Sequence, residues 1–203
     1  MADTWEGPDR PAVETESVVL DAKGLRALAH PVRVQLVELL RSHGPSTATR
    51  LAERLGVNSG TASYHLRQLG AAGFVEEDTE RGNARERWWR SVHRTTELRG
   101  RDLAEEEPEA TLAYLQSVAA MYTLRTQQML NRLRTMPPDW RGTFDLSDWN
   151  LLLTPEETIA LRQELGELIA RYRQDTPEAA ASAPEGAGRV GFLTHLLPEP
   201  DAT

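Results

Sequence analysis

Asn58-Ser-Gly-Thr-Ala-Ser-Tyr-His-Leu-Arg-Gln-Leu69, followed by Gly70-Ala-Ala-Gly-Phe-Val75, is the stretch on which the fold turns. Ala62, Leu66 and Leu69 recur at helical spacing, and Gly73 stops the run ahead of the β-prone pair Phe74 and Val75. One face of a helix over 59–72 is therefore buried. At 3.6 residues per turn, the opposite face carries Gly60, Thr61, Tyr64, Arg67 and Gln68, with Ser59 at its start and Ser63 nearer its edge. These are chemistries that read nucleic-acid grooves. Arg binds the guanine edge at two points, Gln does the same for adenine, and Ser or Thr bonds bases or phosphates. Gly60 lets the backbone approach phosphate closely, or else is only a loose cap. His65 sits toward the buried side, where it either packs against the neighbouring helix with a ring nitrogen on phosphate or is purely structural.

The preceding segment completes a helix-turn-helix. Ala48, Leu51, Ala52 and Leu55 form an apolar stripe opened by Ser46 or Thr47 as cap and closed by Gly56. Upstream, a short helix over 25–29 ends at His30-Pro31, because the residue before a proline is pushed out of helical conformation. Pro31 opens the next helix, whose inner stripe is Val32, Leu36, Leu39 and Leu40, and Gly44-Pro45 ends it. Downstream, 74–78 and 85–92 read as strands around a hairpin tip at 79–84, with Gly82-Asn83 as the turn. This hairpin is the expected wing, offering Arg81, Asn83, Arg85 and Arg87 to phosphate or the minor groove.

Four stretches, in this order, carry a family resemblance: Leu28-Ala-His-Pro-Val-Arg-Val-Gln-Leu-Val-Glu-Leu-Leu40, Ser63-Tyr-His-Leu-Arg-Gln-Leu69, Ala72-Gly-Phe-Val-Glu76 and Arg81-Gly-Asn-Ala-Arg-Glu-Arg-Trp-Trp89. The sequence resembles the ArsR-type bacterial transcription regulators. That resemblance implies a homodimer on a pseudo-palindromic operator in double-stranded DNA, usually a repressor released by a signal. The chain departs from the founding metal sensors in having no cysteine. Their thiolate ligands sit on the first helix of the helix-turn-helix, and the corresponding stretch here, 47–54, offers no soft ligand. His30, His43, His65, His93 and His195 include no pair at the three- or four-residue spacing that places two ligands on one helix face. Neither a metal nor any other cofactor is expected, and the missing thiols fit a reducing cytoplasm.

Charge localises the nucleic-acid reading. The chain holds 23 Lys plus Arg against 31 Asp plus Glu, a net of −8, which as a bulk figure argues against nucleic acid. Residues 25–95, however, hold 11 Arg against 7 acids, whereas 1–24 hold 2 basic residues against 6 acids and 96–203 hold 10 against 18. The expected DNA-facing segment is basic and its flanks are acidic.

The expected fold class is mainly α with small β elements. Residues 1–20 read as a flexible acidic tail, 21–96 as the winged helix-turn-helix, 97–108 as an acidic connector, and 109–203 as a dimerisation and accessory region. No signal sequence and no long apolar run indicate export or membrane insertion. A helix over 109–136 carries a heptad seam of Leu112, Leu115, Ala119, Tyr122, Met129, Leu133 and Met136. It is expected to pair with its twin across a two-fold axis, the alternative being a helix packed within its own chain. Beyond Pro137-Pro138, 149–153 reads as a strand, Thr154-Pro-Glu-Glu157 as a capping box, and Leu161, Leu165, Leu168 and Tyr172 as the stripe of a second helix. Residues 175–188 read as a linker, and 189–197 as a closing strand paired with 149–153, giving a small C-terminal α+β unit. Trp140, Phe144, Trp149 and Phe192, with Arg125 or His195 as polar handle, are either core or the lining of a pocket for a small-molecule effector.

An enzyme is the reading from a different class. The sequence has no glycine-rich phosphate loop, no Gly-x-Ser-x-Gly elbow, no His pair for a metal and no Cys nucleophile. The alternative within binding proteins is a winged-helix module whose Tyr64 and Arg67 face meets a protein or RNA.

Overall fold

The computed structural model describes residues 17–82, 86–98, 101–175 and 177–199. Asn83 and Arg85 of the expected wing, and 1–16 of the expected tail, lie outside them. The elements run β1 (Ser17–Val19), α1 (Ala22–Leu28), α2 (Pro31–His43), β2 (Ser46–Thr47), α3 (Ala48–Leu55), α4 (Ser59–Ala71), β3 (Val75–Glu77), β4 (Trp88–Ser91), β5 (Thr95–Glu97), α5 (Arg101–Glu106) and α6 (Pro108–Arg132). A 3-10 turn (Leu133–Thr135), α7 (Pro138–Arg141), α8 (Pro155–Ala170) and α9 (Pro177–Ala181) follow. The chain divides into two compact units between Arg134 and Thr135.

In the first unit the helix boundaries follow the local chemistry. His30 is extended and its Nδ1 accepts from the Val32 N–H at 3.2 Å, so the residue before Pro31 caps α2. Thr47 caps α3 through a bond from the Arg50 N–H, and Gly56, in the left-handed region, closes it. Leu25, Leu28, Leu36, Val37 and Leu40 meet Leu51, Leu66, Leu69, Phe74, Val75 and Trp89 in one core. Each fully buried aliphatic or aromatic side chain contributes about 1.5–3 kcal/mol relative to exposure. Gly70 stands where a Cβ would come within 3.3 Å of the Trp89 ring, so α4 lies close on the sheet.

β4 is the centre of an antiparallel sheet ordered β2-β4-β3, with Thr47 opposite Trp88, Ser46 opposite Trp89 and Glu76 opposite Arg90. This is the wing, shorter at both strands than the sequence pattern implied. A second sheet was not expected. Residues 17–19, assigned to the flexible tail, form a strand parallel to β5, with Ser17 opposite Thr95 and Val19 opposite Glu97. Leu20 follows buried in the core. Arg41 ties this edge to α2, its Nε donating to the His93 carbonyl and a terminal nitrogen to Thr96 Oγ1, each at 2.8 Å. Residues 97–108 also depart from a plain connector, since α5 occupies half of them and α6 starts at Pro108.

The long helix packs on α1 and α2 within its own unit. Thr111, Tyr114 and Ser117 are buried, Ala110, Val118 and Met121 lie against the core, and Arg125 pairs with Glu38 at 3.0 Å. That contact uses a face adjacent to the heptad seam. Leu112, Leu115 and Ala119 of the seam are exposed, while Tyr122, Met129 and Leu133 are half-buried. The expected single role of the helix is thereby divided between an inward face and an outward one.

The second unit corrects the expected α+β arrangement. Thr154 and Glu157 form the capping box, Thr154 N–H to Glu157 Oε2 at 2.8 Å and Glu157 N–H to Thr154 Oγ1 at 3.2 Å. Among the described residues, however, neither 149–153 nor 189–197 is a strand, and α9 falls inside the expected linker. A strand exists only through a ladder partner, and these two segments do not pair with each other. Trp149 and Phe192 are exposed, while Trp140 and Phe144 are half-buried. Met136, the last seam residue, is half-buried here.

Candidate nucleic-acid interface

The candidate recognition helix is held by its cap and its apolar back. Asn58 Oδ1 accepts from the Thr61 N–H at 2.7 Å and satisfies one of the four unpaired donors of the first turn. Asn58→Ala is expected to cost about 1 kcal/mol of unfolding free energy. Chemical denaturation measures this, and an unchanged midpoint would remove the cap from the account. Ala62, Leu66 and Leu69 are wholly buried, which fixes the rotation of the helix. Ser59, Gly60, Tyr64, Arg67 and Gln68 are consequently exposed together, with Thr61 and Ser63 half-exposed at the margin. Arg67 makes no ion pair with another described residue.

His65 does not share that face. It is only 7% exposed, and its ring lies 4.4 Å from the ring of His30 and edge-on to Tyr64 at 5.3 Å. Its Nδ1 is buried without a hydrogen-bond partner. His65 therefore lies on the inward side of α4, against His30. Burial, then His30 and Arg33, lowers the affinity of His65 for a proton, and burial followed by Arg33 does the same to His30. Burial and then Arg41 act likewise on His93.

A histidine whose folded pKa is depressed contributes stability that is present above its unfolded pKa, about 6.5, and is lost as pH falls through the folded value. The thermal midpoint is therefore expected to be lower at pH 5.5 than at pH 7.5, and His65→Phe should shrink the difference. An equal fall in the variant would show that His65 takes no part in it.

The wing approaches the same side. Asp78, buried, organises its tip by accepting from the Arg81 N–H at 3.3 Å, while its carbonyl accepts from the Gly82 N–H at 3.0 Å. Arg81 pairs with Asp78 at 3.5 Å and Arg87 with Glu77 at 3.3 Å, so both cations are held by wing carboxylates. An open cleft of about 310 Å³ brings the start of α3, through Thr47 and Thr49, together with Ser63 and Arg67 of α4 and Arg87 of the wing. Three separate stretches of sequence converge there. Arg50, which the sequence did not single out, lies over the Trp88 ring at 5.0 Å, where a cation is attracted to the aromatic face. Its position is set by the β2–β4 pairing, a non-local contact with no local sequence signal.

The arrangement is a convex helix flanked by cations and by the N-terminus of a second helix, which suits a polyanion with readable edges. Among the described residues no group of three or more His, Asp or Glu is placed to hold a metal ion, and no helix is long and apolar enough to cross a membrane.

Residues 28–78 match a family described as a helix-turn-helix domain. The chain is 36% identical over 75 residues to the HTH-type transcriptional regulator NmtR of Mycobacterium tuberculosis (strain ATCC 25618 / H37Rv), covering 36% of this chain and 62% of that protein. The chain thus spans less than two thirds of the length of the curated relative it matches. Among solved structures it is similar to a mutant of Lactococcus lactis ZitR in apo form, at 17% identity and a TM-score of 0.30, over 71% of this chain and 83% of that one.

Proposed function

We propose, on the premise that residues 28–78 form a helix-turn-helix domain like that of ArsR-type regulators, that this chain is a sequence-specific DNA-binding transcriptional regulator of the cytoplasm. The observation that carries the reading is the joint exposure of Ser59, Gly60, Tyr64, Arg67 and Gln68 on a helix whose other face is locked in the core. Arg67 and Gln68 read base edges in the major groove, and Ser63 and Thr61 bond bases or phosphates. Arg81 and Arg87 of the wing, with Asn83 and Arg85, act on the backbone and so position the helix without reading sequence.

The regulator works as a homodimer and as a repressor. Leu112, Leu115 and Ala119 leave an apolar stripe on α6 suited to its twin, continued by Tyr122, Met129, Leu133 and Met136. Two-fold pairing presents two recognition helices to half-sites roughly 34 Å apart. Release by a small-molecule effector, rather than by a thiolate-bound metal, accords with a chain that has no cysteine.

Competition is the test. A labelled random duplex bound at low salt should be displaced by unlabelled duplex, with affinity falling steeply as salt rises. Displacement by RNA but not by duplex, or retention of a protein partner that duplex fails to displace, would transfer the Tyr64 and Arg67 face to a different partner.

A further inference from the structure

His30 and His65 meet where the start of α2 packs on α4, their ring planes inclined at 44°. Three features make this contact intolerant of charge. The Nδ1 of His65 is buried and has no partner. The Nδ1 of His30 accepts from the Val32 N–H, so Nε2 carries the hydrogen of the neutral ring; a proton taken from solvent lands on Nδ1 and removes the cap of α2. Arg33, in the first turn of α2, already sets a positive charge beside both rings, and its own Nε is buried without a partner.

The surrounding ionisable groups do not offset a further charge. From α1, Arg26 pairs with Glu107 of α6, and Lys23 donates to the Ala71 carbonyl. On α2, beyond Arg33, Glu38 pairs with Arg125. Arg50, Glu53 and Arg54 of α3 are exposed, as is Arg67 of α4, and Glu76 and Glu77 of β3 pair with Arg90 and Arg87. Tyr64 of α4 meets the His65 ring edge-on and acts on Arg33. Among the described residues no carboxylate acts on either histidine.

We infer that the contact of His30 with His65 is a proton-sensitive latch beneath the candidate recognition helix: with both rings neutral it holds α4 on α2, and entry of one proton parts them and weakens DNA binding. The inference rests on the DNA-binding reading and deepens it by naming a second input besides a small-molecule effector. Its sign is opposite to the usual one, since positive charge added to a DNA-binding domain strengthens its hold on phosphate. Position decides the sign, because His65 follows Tyr64 directly and stands two residues before Arg67, so a shift of His65 moves the exposed face of α4.

Fluorescence anisotropy with a labelled random-sequence duplex, at fixed ionic strength and at pH 7.5 and 5.5, compares the unsubstituted chain with one carrying both His30→Asn and His65→Phe. Asn keeps a capping acceptor at position 30 and Phe keeps a ring at position 65, and neither titrates. His43, His93 and His195 remain in both chains, so the difference between them reports on the pair. The unsubstituted chain is expected to lose about fivefold in affinity on acidification, the low end of ordinary coupling between two sites, while the variant holds or gains. Exchange of the Val32 amide, corrected for its intrinsic pH dependence, gives a readout without DNA: its protection should fall at pH 5.5 in the unsubstituted chain and not in the variant, with the Leu36 and Leu40 amides of the core steady in both. Affinity that rises on acidification in the unsubstituted chain, an equal fall in both chains, or Val32 protection indifferent to pH would each overturn the inference. Absence of duplex binding at both pH values would remove the DNA reading and the inference together, an outcome told apart from the others by the lack of binding at pH 7.5.

Discussion

Leu66→Ala is expected to destabilise the first unit by about 2–5 kcal/mol, a large share of the 5–15 kcal/mol that keeps a domain folded. Leu66 is 0% exposed and belongs to the cluster in which α4 meets Leu36, Leu40, Leu51 and Phe74. Removing three heavy atoms there loses their transfer free energy and leaves a cavity that relaxes only in part. The same side chain fixes the rotation of α4, so Tyr64 and Arg67 lose their common orientation when it goes. Urea denaturation measures the loss. A change below about 1 kcal/mol would be a surface value and would mean that this face of α4 is not the buried one.

Arg67→Ala is expected to cost about 1–3 kcal/mol on the preferred duplex and to relax base preference at one position. Arg67 is exposed and makes no ion pair with a described carboxylate, so contact with a base edge would not first require the release of a protein partner. Arg87 differs, being held by Glu77 at 3.3 Å. Exchanging that carboxylate for a phosphate offsets part of the gain, and Arg87→Ala should weaken all duplexes alike and lower the salt slope by about one. Fluorescence anisotropy on preferred and random duplexes separates the two. Equal losses on both for Arg67→Ala would assign that residue to the backbone and leave base readout to Gln68 and Tyr64.

How far this arrangement is legible from sequence depends on whether its causes are local. The α2–α3–α4 succession follows from signals a few residues apart: His30-Pro31, Thr47, Gly56, Asn58, Gly73 and the stripe of Ala62, Leu66 and Leu69. The exposed face of α4 follows from that stripe by rotation alone. β1 gave no such signal, because Ser17–Val19 is a brief apolar run among acids and its partner β5 is far along the chain. The stacking of His30 on His65 and of Arg50 on Trp88 was hidden for the same reason.

The C-terminal strands erred in the other direction. Leu151, Leu152 and Leu153 have strand-like composition, but composition does not supply a ladder partner, and the single chain leaves them irregular. The α6 helix was legible as a helix, while its inward face through Tyr114 and Ser117 was obscured by the heptad of Leu112, Leu115 and Ala119 beside it.

The most direct measurement is to incubate the purified chain with sheared DNA of its own genome at near-physiological salt and sequence the retained fragments. An enriched inverted repeat with half-sites about one turn, roughly 34 Å, apart is the predicted result. Retention without enrichment, or no retention, would contradict the assignment of α4 as a base-reading helix.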